Sequence, residues 1–184
     1  MIVGVDEVGR GCWAGPVVAG AVLLRRPLAG LRDSKKLSKR QRAELDILIR
    51  AKAVAYGLGW ATPVEVDTLG LTAAVRLAME RAVAQISHDF TELVVDGSYN
   101  FLAADPRSKA VIKADDSVPA VSAASIIAKV ARDTYMAQQA ATYPGYGFDH
   151  HVGYGTARHR SALAELGHCD LHRLSFAPLR ALAS

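Results

Sequence analysis

Ile2-Val3-Gly4-Val5-Asp6-Glu7 is an apolar run that closes on two acids, and its reading decides the fold. A short apolar run bounded by turn residues predicts a strand. Gly9, Gly11 and Gly15 then mark a loop before a second apolar run over residues 17–24, so the chain begins strand, glycine loop, strand. Ser38 and Gln41 have the spacing of a reciprocal helix cap, and Leu45, Leu48 and Ile49 follow at helical intervals, predicting an amphipathic helix. Further strands are predicted over residues 53–60, 93–95 and 110–112. Helices are predicted over 72–86, from near Pro119 through Ser122 to about Gln139, and over 157–166. Residues 143–155 carry Pro144 and several glycines and read as a loop, and the segment after 166 reads as an irregular tail. Strands first, then helices alternating with strands, give an α/β fold with a mixed β-sheet flanked by α-helices.

With 184 residues, 51% of them hydrophobic, the expectation is a single domain over residues 1–184 with a real core. No stretch approaches the ~18 uninterrupted apolar residues of a membrane span, and the start lacks the basic region and long apolar run of a signal peptide. A cytoplasmic protein with no membrane association is expected, and a monomer, since no oligomeric surface is visible. Cys12 and Cys169 are too few for a disulfide framework and read as reduced thiols. The net charge of +4 mildly favours a polyanionic partner, because Lys and Arg neutralise phosphates and release counterions.

Two predicted strands end in acids, one in Asp6 and Glu7, the other in Asp96. If these strands are parallel neighbours, their carboxyl ends lie side by side at the edge where open α/β sheets place their sites, and Asp115, just past a third short strand, can join them. Carboxylates so crowded raise one another's pKa unless a divalent cation neutralises them. The chemistry implied is a hard cation with oxygen ligands, Mg²⁺ or Mn²⁺. Paired ions of this kind support phosphodiester hydrolysis.

The blocks Asp6-Glu7-Val8-Gly9-Arg10-Gly11 with Ala14-Gly15-Pro16, Asp33-Ser34-Lys35-Lys36-Leu37-Ser38, Val95-Asp96-Gly97, Lys113-Ala114-Asp115, Ser122-Ala123-Ala124-Ser125 through Arg132-Asp133, His151-Val152-Gly153-Tyr154-Gly155-Thr156 and His172-Arg173-Leu174-Ser175-Phe176 occur in this order. Together they resemble the ribonuclease HII family. The resemblance implies a ribonuclease H-like fold and an endonuclease acting on RNA/DNA hybrids and ribonucleotide-containing duplex DNA. It implies Asp6, Glu7, Asp96 and Asp115 as the catalytic, metal-binding carboxylates, with Asp115 preferred to its neighbour Asp116, which reads as a helix cap. Gly9, Arg10, Gly11 and Tyr154 are implied as the reader of the RNA-to-DNA junction. Val152 departs from the family pattern, which often has Lys there, so one substrate contact is in question.

The residues themselves are compatible with that role. A protein tells RNA from DNA through the 2′-hydroxyl, and Gly9 and Gly11 allow backbone groups to approach a sugar closely. Tyr154, between Gly153 and Gly155, can lay its ring against a deoxyribose. Lys35, Lys36, Ser125, Lys129 and Arg132 are candidate phosphate contacts, with Ser125 the best of them by the resemblance. His150, His151, His168, Cys169 and His172 match no common zinc spacing, and His172, Arg173 and Phe176 read as ties holding the tail to the domain. Another ribonuclease H-like nuclease would share the acids but not the Gly9-Arg10-Gly11 and Tyr154 pairing. A catalytically dead hybrid-binding module would be expected to lack one of the acids.

Overall fold

The first strand, β1, spans Ile2–Val8 and is longer than its apolar run. Residues Asp6, Glu7 and Val8 stay extended because β2 (Val17–Leu23) pairs with β1 antiparallel along its length, from Val3 opposite Leu23 to Val8 opposite Val18. The two acids therefore lie within the strand, not beyond its end. The computed structural model describes residues 1–31 and 34–181, so Asp33 of the Asp33-Ser34-Lys35-Lys36 block lies outside the described residues.

A single 3-10 turn at Ser34–Lys36 leads to α1 (Lys39–Lys52), whose reciprocal Ser38 and Gln41 cap forms as the spacing predicts. Then come β3 (Ala55–Ala61), α2 (Pro63–Leu69), α3 (Leu71–Val83), β4 (Glu92–Asp96), β5 (Ser108–Val111), α4 (Ala114–Ser117) and α5 (Pro119–Thr142). The chain finishes with α6 (Phe148–His151), α7 (Ala157–Leu166) and α8 (Ala177–Arg180). Residues 143–155 thus contain a helical turn where a loop was expected, and the tail contains another. No helix among the described residues is long and apolar enough to cross a membrane.

The sheet order is β3-β2-β1-β4-β5, with β3, β2 and β1 antiparallel and β1, β4 and β5 parallel. It is the mixed sheet expected from the pattern, and β1 and β4 are the parallel neighbours on which the carboxylate argument depended. Successive side chains of a strand point to opposite faces. Val3 and Val5 join the cluster built on Ala74, Val75, Ala78, Met79 and Ala82 of α3, while Val22 of β2 joins Ala123, Ala124, Ile126 and Ile127 of α5 on the other face. A Cβ on Gly4 would lie 2.2 Å from the α5 backbone at Ala120, so glycine is what lets α5 seat directly on β1. By the same alternation Asp6 faces α5 and Glu7 faces the α3 side.

Helix α2 was absent from the sequence reading. Thr62 caps it, Glu65 returns the cap, and Pro63 sits in its first turn. Its Asp67 carboxylate accepts the Leu174 and Ser175 amides at 2.8 and 2.9 Å and the Ser175 hydroxyl at 2.6 Å, which pins the tail.

Candidate active site

Asp6 leaves the middle of the sheet on β1, Asp96 ends the neighbouring parallel strand β4, and Asp115 sits in the first turn of α4. Between β5 and α4 the chain reverses through Lys113, which adopts the left-handed conformation at φ 57°. That turn brings the Asp115 amide to Asp96 Oδ1 at 3.3 Å. One carboxylate oxygen from each of Asp6, Asp96 and Asp115 lies within 4.8 Å of the others. Asp6 is pushed up to about 8, chiefly by burial and then by the Glu7 charge, with Asp96 adding to it; the Ser125 hydroxyl and the Glu7 amide oppose the rise. Burial and neighbouring carboxylates thus disfavour the charged form of Asp6. Donors that are all oxygen and converge on one point fit a hard divalent cation.

Glu7 borders the same cleft but stands apart from that trio. Its amide donates to Asp6 Oδ1 at 2.8 Å, whereas its carboxylate accepts from Arg10 Nη1 at 3.1 Å. Burial raises the Glu7 pKa and Arg10 opposes the rise. The pleat explains the separation, since Glu7 points to the α3 side, where the Arg10 guanidinium also lies over the Phe101 ring at 5.6 Å.

A cleft of about 310 Å³ is bordered by Asp6, Glu7 and Asp96 together with Ser34, Lys35, Ser125, Lys129 and Tyr154. Ser125 is nearly buried, and its hydroxyl lies 2.9 Å from that of Ser34. Lys35 Nζ is 3.7 Å from Asp115 Oδ2. Lys36 pairs with Asp116 at 2.6 Å. Asp116 does not cap α5, whose N-cap is Val118 without a side-chain cap bond. Lys129 pairs with Asp133 at 2.8 Å and holds its ammonium 5.8 Å from the centre of the Tyr154 ring. Tyr154 is 41% exposed, and burial, followed by the nearby Cys12 thiol, pushes the pKa of its hydroxyl up.

The ribonuclease HII family profile matches residues 3–179. The chain belongs to the ribonuclease HII family. It is 51% identical over 183 residues to the ribonuclease HII of Halorhodospira halophila, covering 98% of this chain and 94% of that one. It is 50% identical over 181 residues to that of Thiobacillus denitrificans, covering 97% and 88%. Among solved structures, ribonuclease H2 from Pyrococcus horikoshii superposes with a TM-score of 0.80 at 25% identity over 98% of this chain and 96% of that one. The Archaeoglobus fulgidus ribonuclease HII solved with PCNA gives 0.81 at 26% identity over 96% and 95%. The fold is thus ribonuclease H-like. The protein is a ribonuclease H, of a divalent-metal-dependent family that cleaves the RNA strand of RNA/DNA hybrids.

In this ribonuclease HII chain, the residues that sequence reasoning misplaced or missed lie behind the cleft. Arg132, expected to touch phosphate, is fully buried. It donates to the carbonyls of Pro16 at 2.9 Å, Val152 at 2.8 Å and Ala14 at 3.1 Å. Arg173 donates to Gly15 O at 2.7 Å and Arg10 O at 3.0 Å, confirming the tail as a tie and showing what it ties. Both guanidiniums hold the glycine loop from below. Gly9, at φ +93°, has no room for a Cβ, which would meet Arg132 Nε at 2.3 Å, whereas a Cβ on Gly11 would meet nothing within 4 Å. The Trp13 amide donates to Gly153 O at 2.9 Å, joining the glycine loop to the Tyr154 loop. Val152, in the left-handed region at φ 45°, presents its carbonyl to Arg132. His159 was overlooked because it falls inside a regular helical pattern. His151, His159 and His172 are buried together, whereas His150 and His168 are exposed.

Proposed function

We propose that the enzyme incises duplex DNA on the 5′ side of a lone embedded ribonucleotide, besides cutting RNA tracts in hybrids, and leaves a 3′-hydroxyl and a 5′-phosphate. The observation that carries this reading is that Asp6, Glu7 and Asp96 border one cleft with Tyr154, while Asp115 converges on Asp6 and Asp96. Asp6, Glu7, Asp96 and Asp115 are the catalytic set and would hold a pair of Mg²⁺ or Mn²⁺ ions. Those ions supply the Lewis acidity that phosphodiester hydrolysis requires. Water adds to phosphorus and the bond to the 3′-oxygen breaks, which sets the product ends.

The remaining groups place the substrate. Gly11, whose missing side chain leaves open space, lets a sugar reach the loop backbone, and Gly9 sets the turn that aims it. The loop thereby reads the 2′-hydroxyl. Tyr154 packs on the deoxyribose that follows, and Arg10, Lys36 and Ser125 contact the strand. Residues 1–184 act as a single catalytic domain, as a monomer in the cytoplasm. One continuous sheet supports the single domain, and two free cysteines are compatible with a reducing compartment.

Incision of three labelled duplexes tests the proposal: one ribonucleotide in DNA, a continuous RNA tract on DNA, and all DNA. The first two are cut and the third is not. Tyr154→Ala loses the single-ribonucleotide cut by up to about a hundredfold, as misorientation can, while Tyr154→Phe keeps most of it. Cutting of all-DNA duplex at the same rate, or an unchanged single-ribonucleotide rate in Tyr154→Ala, overturns the reading.

A further inference from the structure

We infer that His159 and His172 form a proton-ordered pair whose role is to position Tyr154, making His159 a specificity-determining positioning residue; this rests on Tyr154 reading the junction. The Tyr154 carbonyl faces His159 Nδ1 at 3.0 Å. A carbonyl only accepts, so Nδ1 carries the proton. A neutral imidazole then accepts at Nε2, and His159 Nε2 lies 3.0 Å from His172 Nε2. His172 must therefore be protonated at Nε2, which leaves its Nδ1 as an acceptor. There the Cys169 amide, which can only donate, arrives at 2.9 Å. A fixed donor at one end and a fixed acceptor at the other thus set both tautomers.

The opposite order would let His172 Nδ1 donate to the Cys169 carbonyl at 3.2 Å. It would also turn a lone pair of His159 on the Tyr154 carbonyl and aim two N–H groups at each other beside Cys169. Burial holds both imidazoles at about 4, so the pair stays neutral at working pH.

The consequence is a grip on Tyr154 from below. His151 completes it on the N-terminal side: its Nε2 donates to Tyr146 O at 2.7 Å and its Nδ1 accepts the Gly153 amide at 3.1 Å. The His151 carbonyl takes the Tyr154 amide at 2.9 Å. The rings of His151 and His159 stack at 4.4 Å. Tyr154 is thus fixed through its backbone while its ring remains at the cleft. None of the three imidazoles borders that cleft.

The test is the ratio of single-ribonucleotide incision to RNA-tract cleavage, at saturating divalent cation. His159→Leu removes the donor and keeps bulk, and the ratio falls about tenfold, the scale of one lost orienting hydrogen bond. His159→Asn places an amide N–H where Nδ1 stood and recovers most of the ratio. In a Tyr154→Ala background His159→Leu lowers the ratio no further, as expected of residues acting as one unit. The inference is overturned if folded His159→Leu keeps the wild-type ratio, if Asn fails to rescue, or if the two losses multiply. Should His159→Leu not fold, His172→Leu replaces it: it removes the group that sets the His159 tautomer, and an unchanged ratio there is equally fatal. If Tyr154→Ala itself leaves the ratio unchanged, the junction-reading proposal is what fails.

Discussion

Replacing Arg132 separates two roles that predict different measurements. Arg132→Leu deletes a fully buried guanidinium and leaves the carbonyls of Ala14, Pro16 and Val152 without it. An orphaned buried acceptor costs about 1–3 kcal/mol. Three such losses, less the relief of no longer burying a charge, come to about 4 kcal/mol, a large share of the stability of an ordinary domain. With a urea slope of about 2 kcal/mol per molar, the unfolding midpoint drops by about 2 M. Arg132→Lys keeps the charge but not the fork and falls by about half as much. Far-UV circular dichroism against urea reads both. Hybrid affinity, measured well below the new midpoint, follows the salt dependence of the wild type. A midpoint within about 0.5 M of wild type, accompanied by a shallower salt slope, would mean that Arg132 contacts phosphate and that the reasoning from burial is wrong.

In cation-free buffer Asp6 keeps its proton to about 8, far above the ordinary carboxylate value. The fold therefore binds more protons than the unfolded chain across that interval and loses stability as pH rises through it. Asp6→Asn should raise Tm at pH 8 with chelator present and abolish the Tm increase that divalent cation gives the wild type. His159 and His172 have the opposite sign. Held near 4 chiefly by burial, against about 6.5 when unfolded, they contribute stability that is present above 6.5 and lost as pH falls toward 4. Urea midpoints at pH 7 and pH 4.5 should show the drop, and His159→Asn should shrink it. Hybrid affinity should fall linearly in log–log against salt, with Lys35→Ala or Lys129→Ala each reducing the slope by about one unit. A slope unchanged in both variants contradicts their assignment to phosphate.

The carboxylate edge was legible because its logic is local: an apolar run closing on an acid, twice, needs only parallel pairing to make a site. That pairing is what β1 and β4 do. The cap at Ser38 was legible for the same reason. Helix α2 carried an equally local signal in Thr62-Pro63-Val64-Glu65, but its seven residues are too few to show a periodic face. Arg132 misled because it shares a helical face with Ser125 and Lys129, and the sequence does not show where that face passes from open cleft to beneath the glycine loop. Lys36 and Asp116 meet across 80 positions, and His159 and His172 meet only after the tail has folded back. Contacts of this kind have no signature in spacing. The separation of Glu7 from the other acids follows from the pleat once β1 is known to continue through Val8.

The central claim is that Asp6, Asp96 and Asp115 make this a divalent-cation-dependent ribonuclease. The direct test is initial-rate cleavage of a labelled RNA/DNA hybrid by the wild type and by the three single Asp→Asn variants, each with Mg²⁺, with Mn²⁺ and with chelator. The wild type should cleave with added cation and not with chelator. Turnover should collapse in each variant, while the circular dichroism spectrum and hybrid affinity are retained. Cleavage that survives chelation, or near-normal turnover in all three variants, contradicts the claim.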